Sequence, residues 1–228
     1  MSTSDQLTPL SLPELLRNVA AEYGSAAVFS TSFSAEDQII SHHIFTQQLP
    51  IKVFTLDTGR LFAETYSVYE RTLERYQATI EAYVPQTESL SQLISTKGPN
   101  SFYQSVENRL ECCHIRKVEP LNRALQGAKA WITGLRAAHS TSRAELQISE
   151  WDTDRKLLKI NPLLHWSSEE VWSEIHRLAI PYNKLHDKGF ASIGCMPCTR
   201  ATLPGEDFRA GRWWWEDQSK KECGLHIK

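Results

Sequence analysis

A doubly wound α/β fold, with helices on both faces of a parallel sheet, is predicted by three features of the 228-residue chain. Short apolar runs rich in β-branched and aromatic residues, "AAVFST" and "IKVFTL", read as strands. The helical-looking "AEDQIISHHIFTQQ" separates them, which is the order of a βαβ unit with parallel strands. The same alternation then recurs along the chain. No internal repeat, low-complexity tract or break in composition marks a second domain, so residues 1–228 read as one domain with a C-terminal tail from about residue 181.

Each element has a local cause. "SLPELL" opens a helix with Ser11 as N-cap and Glu14 at the capping-box position, and Leu12, Leu15, Leu16 and Val19 make its apolar stripe. After the βαβ unit, "FAETYSVYERTLERYQ" reads as helix, "IEAYVP" as strand, "CCHIRKVEPLNRAL" as helix at least in part, and "AWITGL" as a further strand. "SEEVWSEIHRLAI" is a helix capped by Ser167, with Glu170 in the box position. From about Pro181 the periodicity fades into a stretch rich in Gly, Pro, Trp and charge, read either as an appendage closing over the sheet or as a mobile tail.

Composition narrows the function classes. With 25 Lys and Arg against 27 Asp and Glu, the net charge of −2 argues against bulk electrostatic binding of nucleic acid and leaves any anion to a few placed arginines. "MSTSDQLTPL" lacks the basic start and apolar run of a signal peptide, and no stretch approaches the roughly 18 apolar residues of a membrane span. A cytoplasmic protein without a membrane partner is expected, and a homo-oligomer is compatible with it. In a reducing compartment, five cysteines read as metal or redox chemistry rather than a disulfide framework.

In open parallel sheets the loops beyond the strand C-termini hold the ligand. The first candidate is "STSFSAED", where Ser30, Thr31, Ser32 and Ser34 lead into a helix N-terminus, either as an anion cradle or as a simple cap. It is not a Walker loop, which needs glycines and a Lys before Ser or Thr. The second is "LDTGR", with Asp57, Gly59 and Arg60; Asp57 either binds a ribose or caps a turn with Gly59. Arg136 and Arg143, in "GLRAAHSTSR" beyond a strand, offer guanidinium forks for an oxyanion, with a solvated loop as the alternative.

The cysteines say more. "ECCHIRK" places Cys112 and Cys113 side by side, and neighbours are poorly spaced for a disulfide, since bridged Cα atoms prefer about 5.5 Å and consecutive ones stand at about 3.8 Å. On a helix the two side chains leave the axis about 100° apart. Cys195 and Cys198 in "GCMPC" complete a four-thiolate set that suits zinc or an iron–sulfur cluster. The adjacent pair favours the cluster, whose irons stand at separate corners. Cys223, in "KKECGLH", has no partner left over; Lys220 and Lys221 favour its thiolate and Glu222 opposes it. "RAGRWWWE" adds Arg209 and Arg212, then Trp213, Trp214 and Trp215, three neighbours that cannot all face one core.

Together, "ECCHIRK", "GCMPCTRATLPGEDFRAGRWWWE" and "KECGLH" resemble the assimilatory adenylyl-sulfate reductase family, in the branch that carries a 4Fe–4S cluster. The resemblance runs from about residue 26 to residue 226. It implies an adenine nucleotide alpha-hydrolase-like, Rossmann-like fold. It also implies cluster ligands at Cys112, Cys113, Cys195 and Cys198, and a nucleophile at Cys223. Lys117 matches the family lysine between cluster and substrate, and Arg209 and Arg212 match arginines that hold sulfate and phosphate. The implied reaction is reduction of adenosine 5′-phosphosulfate to sulfite and AMP through a cysteine S-sulfonate, with thioredoxin or a similar thiol donor as partner. The nucleotide would lie near Ser30, Ser32, Ser34, Asp57, Gly59, Arg60, Arg136, Arg143 and Trp213. The same chemistry on the 3′-phosphorylated nucleotide is the alternative. An ATP-using adenylating enzyme of this fold is less favoured, because its loop is normally glycine-rich. Two positions depart from the family pattern: Ser34 stands where Gly is usual and His139 where Gln is common. Both bear on substrate affinity rather than on reaction type.

Overall fold

The computed structural model describes residues 10–139 and 145–216. Arg143 and Cys223 lie outside the described residues, as do Lys220, Lys221 and Glu222. Six strands form one sheet in the order β3-β2-β1-β4-β6-β5. They are β1 (Ala27–Thr31), β2 (Lys52–Leu56), β3 (Glu81–Tyr83), β4 (Ala130–Ile132), β5 (Ser149–Asp152) and β6 (Leu157–Ile160). All neighbours pair in parallel except β5 with β6. The doubly wound parallel sheet expected from the sequence is present, with one antiparallel strand added at the β5 edge. Asp152 accepts the Arg155 N–H at 2.9 Å, and Lys156 takes a left-handed φ of 55°, so the chain reverses in a hairpin that leaves no length for a crossover.

Period-two alternation places the core on both faces of the sheet. Ala27 and Phe29 of β1, Val53 of β2, and Ala130 and Ile132 of β4 pack on one side; Val28, Phe54 and Trp131 pack on the other. The first side is covered by α1 (Leu12–Tyr23), α2 (Ala35–Thr46), α3 (Ala63–Tyr76) and α7 (Ser168–Arg177), through Leu16, Ile40, Val68 and Ile175 among others. The predicted caps stand at two of these helices. Glu14 accepts the Ser11 N–H at 2.9 Å, and Ser167 and Glu170 bond reciprocally at 2.7 and 3.1 Å. The amide nitrogen of buried Gln38 on α2 donates to Thr72 and to the Pro181 carbonyl, both at 2.8 Å, while its Oε1 has no hydrogen-bond partner among the described residues.

The opposite face is covered by α6 (Glu119–Ala124), the end of a longer helical run that begins with α5 (Val106–Cys113). Between them, His114–Val118 winds as a π-helix, with the Glu119 N–H donating five residues back to the His114 carbonyl. Pro120 gives the reason. A proline inside a helix lacks a donor and crowds the carbonyl four residues earlier, and one widened turn relieves both. The sequence carries no clear signal for α4 (Thr87–Lys97), where Leu93 alone is buried and the apolar stripe is correspondingly faint.

Residues from Pro181 to Glu216 fold back across the C-terminal end of the sheet. Met196 N–H donates to the Arg60 carbonyl at 2.8 Å, and Thr199 bridges to Arg212. Of the two readings of this stretch, closure over the sheet is therefore observed up to Glu216. No helix among the described residues is long and apolar enough to cross a membrane.

Candidate active site

β1 has β2 on one side and β4 on the other, so the connections diverge there and a crevice opens beyond the strand ends. The main cavity lies in that crevice. Its walls come from the loops after β1, β2 and β4, from Lys117, and from the segment around Ser192, Phe208, Arg209 and Arg212.

Ser30, Ser32 and Ser34 all face this cavity. The Ser30 hydroxyl accepts the Trp131 indole N–H at 2.9 Å, and Ser34 caps α2 by accepting the Asp37 N–H at 3.2 Å. Ser34 sits at φ −64° and ψ 165°, extended backbone that any residue adopts, so its replacement of glycine introduces no strain. The strained position is its neighbour. Phe33 has φ 60°, held by a buried ring that stacks on Tyr69 with centroids 4.6 Å apart.

Two adjacent carboxylates at the start of α2 also border the cavity, unanticipated from the sequence. Asp37 accepts the Ser32 N–H at 2.6 Å and its hydroxyl at 2.7 Å, and burial, with Glu36 beside it, pushes its carboxyl up to about 6. Gly134 permits this close approach, since a Cβ there would collide with Asp37 Oδ1. For Glu36, burial alone would raise the carboxyl. Contacts with His139 at 3.3 Å and Arg136 at 2.8 Å outweigh it and hold the group down at about 2. His139 in turn stacks on Phe208, centroids 4.0 Å apart. An acidic first turn of a helix is ordinary dipole chemistry, so the sequence carried no signal that these groups reach a cavity.

The pKa shift of Asp37 yields a stability prediction. A carboxyl raised from an unfolded 3.8 to about 6 binds protons more tightly when folded. Its contribution is fully favourable below 3.8 and is lost as pH rises through 6. Asp37→Asn is expected to stabilise the fold at pH 7 by roughly 1–3 kcal/mol, with the advantage shrinking towards pH 4. Thermal melts of both proteins across that range check it; a difference independent of pH would show that Asp37 carries no charge into the fold.

Several predicted residues do not face the main cavity. Asp57 caps its own turn, accepting the Gly59 N–H and the Tyr66 hydroxyl, both at 2.8 Å, while Gly59 supplies a φ of 68°. Arg60 donates to Asn100 at 3.0 Å and to the Pro99 carbonyl at 2.5 Å. Arg136 is buried and engaged with Glu36, the Trp166 carbonyl and Ser168, which corrects the idea of a fork open to an oxyanion. Trp213 is buried behind the arginines and lines no cavity described for this site.

The four described cysteines, none in a disulfide, border a second, smaller cavity with Arg60, Phe102, Arg109, Arg116, Lys117 and Pro197. Cys112 and Cys113 end α5 just before the π-turn, and Cys195 and Cys198 flank a short turn in which Cys198 N–H donates to the Cys195 carbonyl at 3.0 Å. The Cys195 thiol donates to Thr58 at 3.3 Å. Burial, then the charge of Cys195, pushes the Cys198 thiol up to about 12, and burial also raises Cys112. Four thiols around one space, Cys195 and Cys198 buried and Cys112 and Cys113 half-buried, cannot readily ionise together without a compensating cation, so the donor set fits a bound metal centre. Among the described residues no three metal-ligating groups converge as they would on one ion; the sulfurs surround a shared space instead. Lys117 lines both cavities and so stands between them.

Arg209 and Arg212 lie on the main cavity wall, each buried. The hydrogen bonds of the Arg212 guanidinium among the described residues are both long, 3.4 Å to Ser192 Oγ and to the Ile193 carbonyl, and its Nε has no hydrogen-bond partner. Among the described residues it has no carboxylate partner. A buried guanidinium without a counter-charge, on a cavity wall, has the charge and donor geometry to accept an anion.

Comparison with known proteins identifies the family. The chain is 52% identical over 213 residues to adenosine 5′-phosphosulfate reductase of Allochromatium vinosum, covering 93% of this chain and 83% of that protein. It is 49% identical over 224 residues to the enzyme of that name from Sinorhizobium fredii, covering 98% and 89%. Among solved structures, phosphoadenylyl-sulfate reductase from Candida auris, in a phosphate complex, superposes with a TM-score of 0.73 at 29% identity over 86% of this chain and 93% of that one. FMN adenylyltransferase from Candida glabrata, with a TM-score of 0.55 at 15% identity over 98% and 83%, shares the fold alone. Residues 26–201 match the model of the phosphoadenosine phosphosulfate reductase domain, and the chain belongs to that family.

Proposed function

We propose that this chain reduces adenosine 5′-phosphosulfate to sulfite and AMP in sulfate assimilation, acting in the cytoplasm as one domain, with residues from about 181 supplying the cysteine loop and the C-terminal catalytic tail. The observation that carries the reading is Arg212, a buried cation without a carboxylate partner among the described residues, beside Arg209 and Lys117 on a crevice at the sheet's switch point. Those three charges match the anionic sulfate and phosphate of the substrate, and the hydroxyls of Ser30, Ser32 and Ser34 line the remainder.

Cys223 thiolate attacks the sulfate sulfur. An S–S bond forms, the S–O bond to the phosphate breaks, and AMP leaves with that oxygen. A thiolate of reduced thioredoxin, or a similar dithiol, then attacks Cys223 Sγ and releases sulfite. The donor's second thiol resolves the mixed disulfide, so two electrons pass from dithiol to sulfur. Arg209, Arg212 and Lys117 hold the sulfonate oxygens and the phosphate during the attack.

Cys112, Cys113, Cys195 and Cys198 would hold a 4Fe–4S cluster, supported by four sulfurs around one space and by the adjacent pair on a helix end. When bound, that group supplies a fixed charge that orders Lys117, while the electrons come from the dithiol. Anaerobically purified protein is expected to contain about four irons and four sulfides. Stoichiometric zinc without iron after anaerobic reconstitution would overturn this assignment.

The test of the reaction is sulfite release with reduced thioredoxin, comparing kcat/KM for the nucleotide with and without a 3′-phosphate. We expect preference for the form without it, as in the names of the bacterial relatives. A clear preference for the 3′-phosphorylated nucleotide would reverse the substrate, and absence of sulfite from both would refute the reading.

A further inference from the structure

Three guanidinium groups approach one buried indole. Arg109, Arg212 and Arg209 stand 4.7, 4.9 and 5.8 Å from the ring centroid of Trp213, which is 1% exposed. The face of an indole carries negative potential, and a desolvated cation over it is attracted more strongly than over the other aromatic side chains. Arg109 is neutralised by a bidentate pair with Glu216 at 3.0 and 2.9 Å, and so anchors the indole to α5. The other two cations belong to the wall of the main cavity, which Trp213 itself does not line.

The backbone of Trp213 is held as firmly as its ring. Its N–H donates to the Cys198 carbonyl at 3.2 Å, and its own carbonyl accepts the Glu216 N–H at 2.9 Å. Its φ of 42° lies in the left-handed region that bulky residues avoid. Such a conformation persists where the surroundings over-determine it, and those places concentrate at functional sites. Arg212 has little else to aim it. Its two side-chain hydrogen bonds are 3.4 Å long, and Gly194 leaves room for the guanidinium only because it has no Cβ, which would collide with it.

We infer that Trp213 is a positioning residue: its indole holds Arg209 and Arg212 in the direction that meets the anionic end of the nucleotide, and its N–H ties that direction to the Cys195–Cys198 turn. The inference rests on the nucleotide reading above and replaces direct substrate contact as the role of this tryptophan.

Calorimetric titration of the anaerobically purified full-length protein with AMP, and separately with adenosine, tests it. Trp213→Leu removes the π face, and AMP affinity is expected to fall roughly tenfold while adenosine affinity stays within about twofold. Trp213→Phe keeps a smaller face and should lose about threefold for AMP only. In an Arg212→Met background, Trp213→Leu should cost clearly less, because the two changes remove one interaction. Equal losses for AMP and adenosine would make Trp213 merely structural and overturn the inference, as would unchanged AMP affinity. If the leucine variant fails to fold, the phenylalanine variant decides by the same comparison. Wild type that binds neither ligand would refute the nucleotide reading itself, and this inference with it.

Discussion

Cys223→Ser is expected to abolish sulfite release while metal content and nucleotide binding stay near wild type. A hydroxyl is almost wholly protonated at neutral pH and far less nucleophilic than a thiolate, so attack on the sulfate sulfur fails. The substitution exchanges sulfur for oxygen with little change of shape, and it leaves the four cysteines around the smaller cavity in place. Incubated with sulfur-labelled nucleotide and no thiol donor, wild type should retain label on the protein and release it as sulfite when reduced thioredoxin is added. The serine variant should retain none. A labelled adduct on the variant, or turnover by wild type without any adduct, would refute the covalent route.

Arg212→Met should lower kcat/KM by roughly 10²–10³, the usual cost of deleting one partner of a desolvated, hydrogen-bonded charge pair. The same change should leave thermal stability unaltered or raised. In the free protein this guanidinium is buried without a carboxylate partner among the described residues, so replacing it with an apolar chain of similar length removes a desolvation cost. Arg212→Lys keeps the charge but loses the planar fork and should recover activity only in part. Steady-state kinetics and melting curves on the three proteins separate the effects. A variant that melts lower yet turns over normally would mean that Arg212 serves the fold and not the anion.

Much of the architecture is legible in the residues themselves. The order of strands and helices follows from short β-branched runs alternating with amphipathic stretches. The caps at Ser11 and Ser167 follow from side chains whose partners lie three residues away. Local signals of this kind survive folding because their partners are close in sequence. Weak elements are lost for the same reason. β5, "SEWD", is an edge strand with polar residues, and α4 buries Leu93 alone, so neither writes a clear period. The π-turn at His114–Val118 is equally hidden despite Pro120, because a proline signals disturbance without saying how the helix absorbs it.

The sequence alone determined the cysteine inventory, the pairing of an adjacent Cys-Cys with a later Cys-x-x-Cys, and the arginine-rich tail, since these depend on residue type and spacing. Which arginines are already paired within the fold was decided by tertiary structure. Arg136 and Arg212 are both buried guanidinium groups near the same crevice. Arg136 meets Glu36 at 2.8 Å, a residue 100 positions away, whereas Arg212 meets an indole and two distant oxygens. A charge becomes available to a ligand only when no counter-charge is folded against it, and that depends on contacts between residues far apart in the chain.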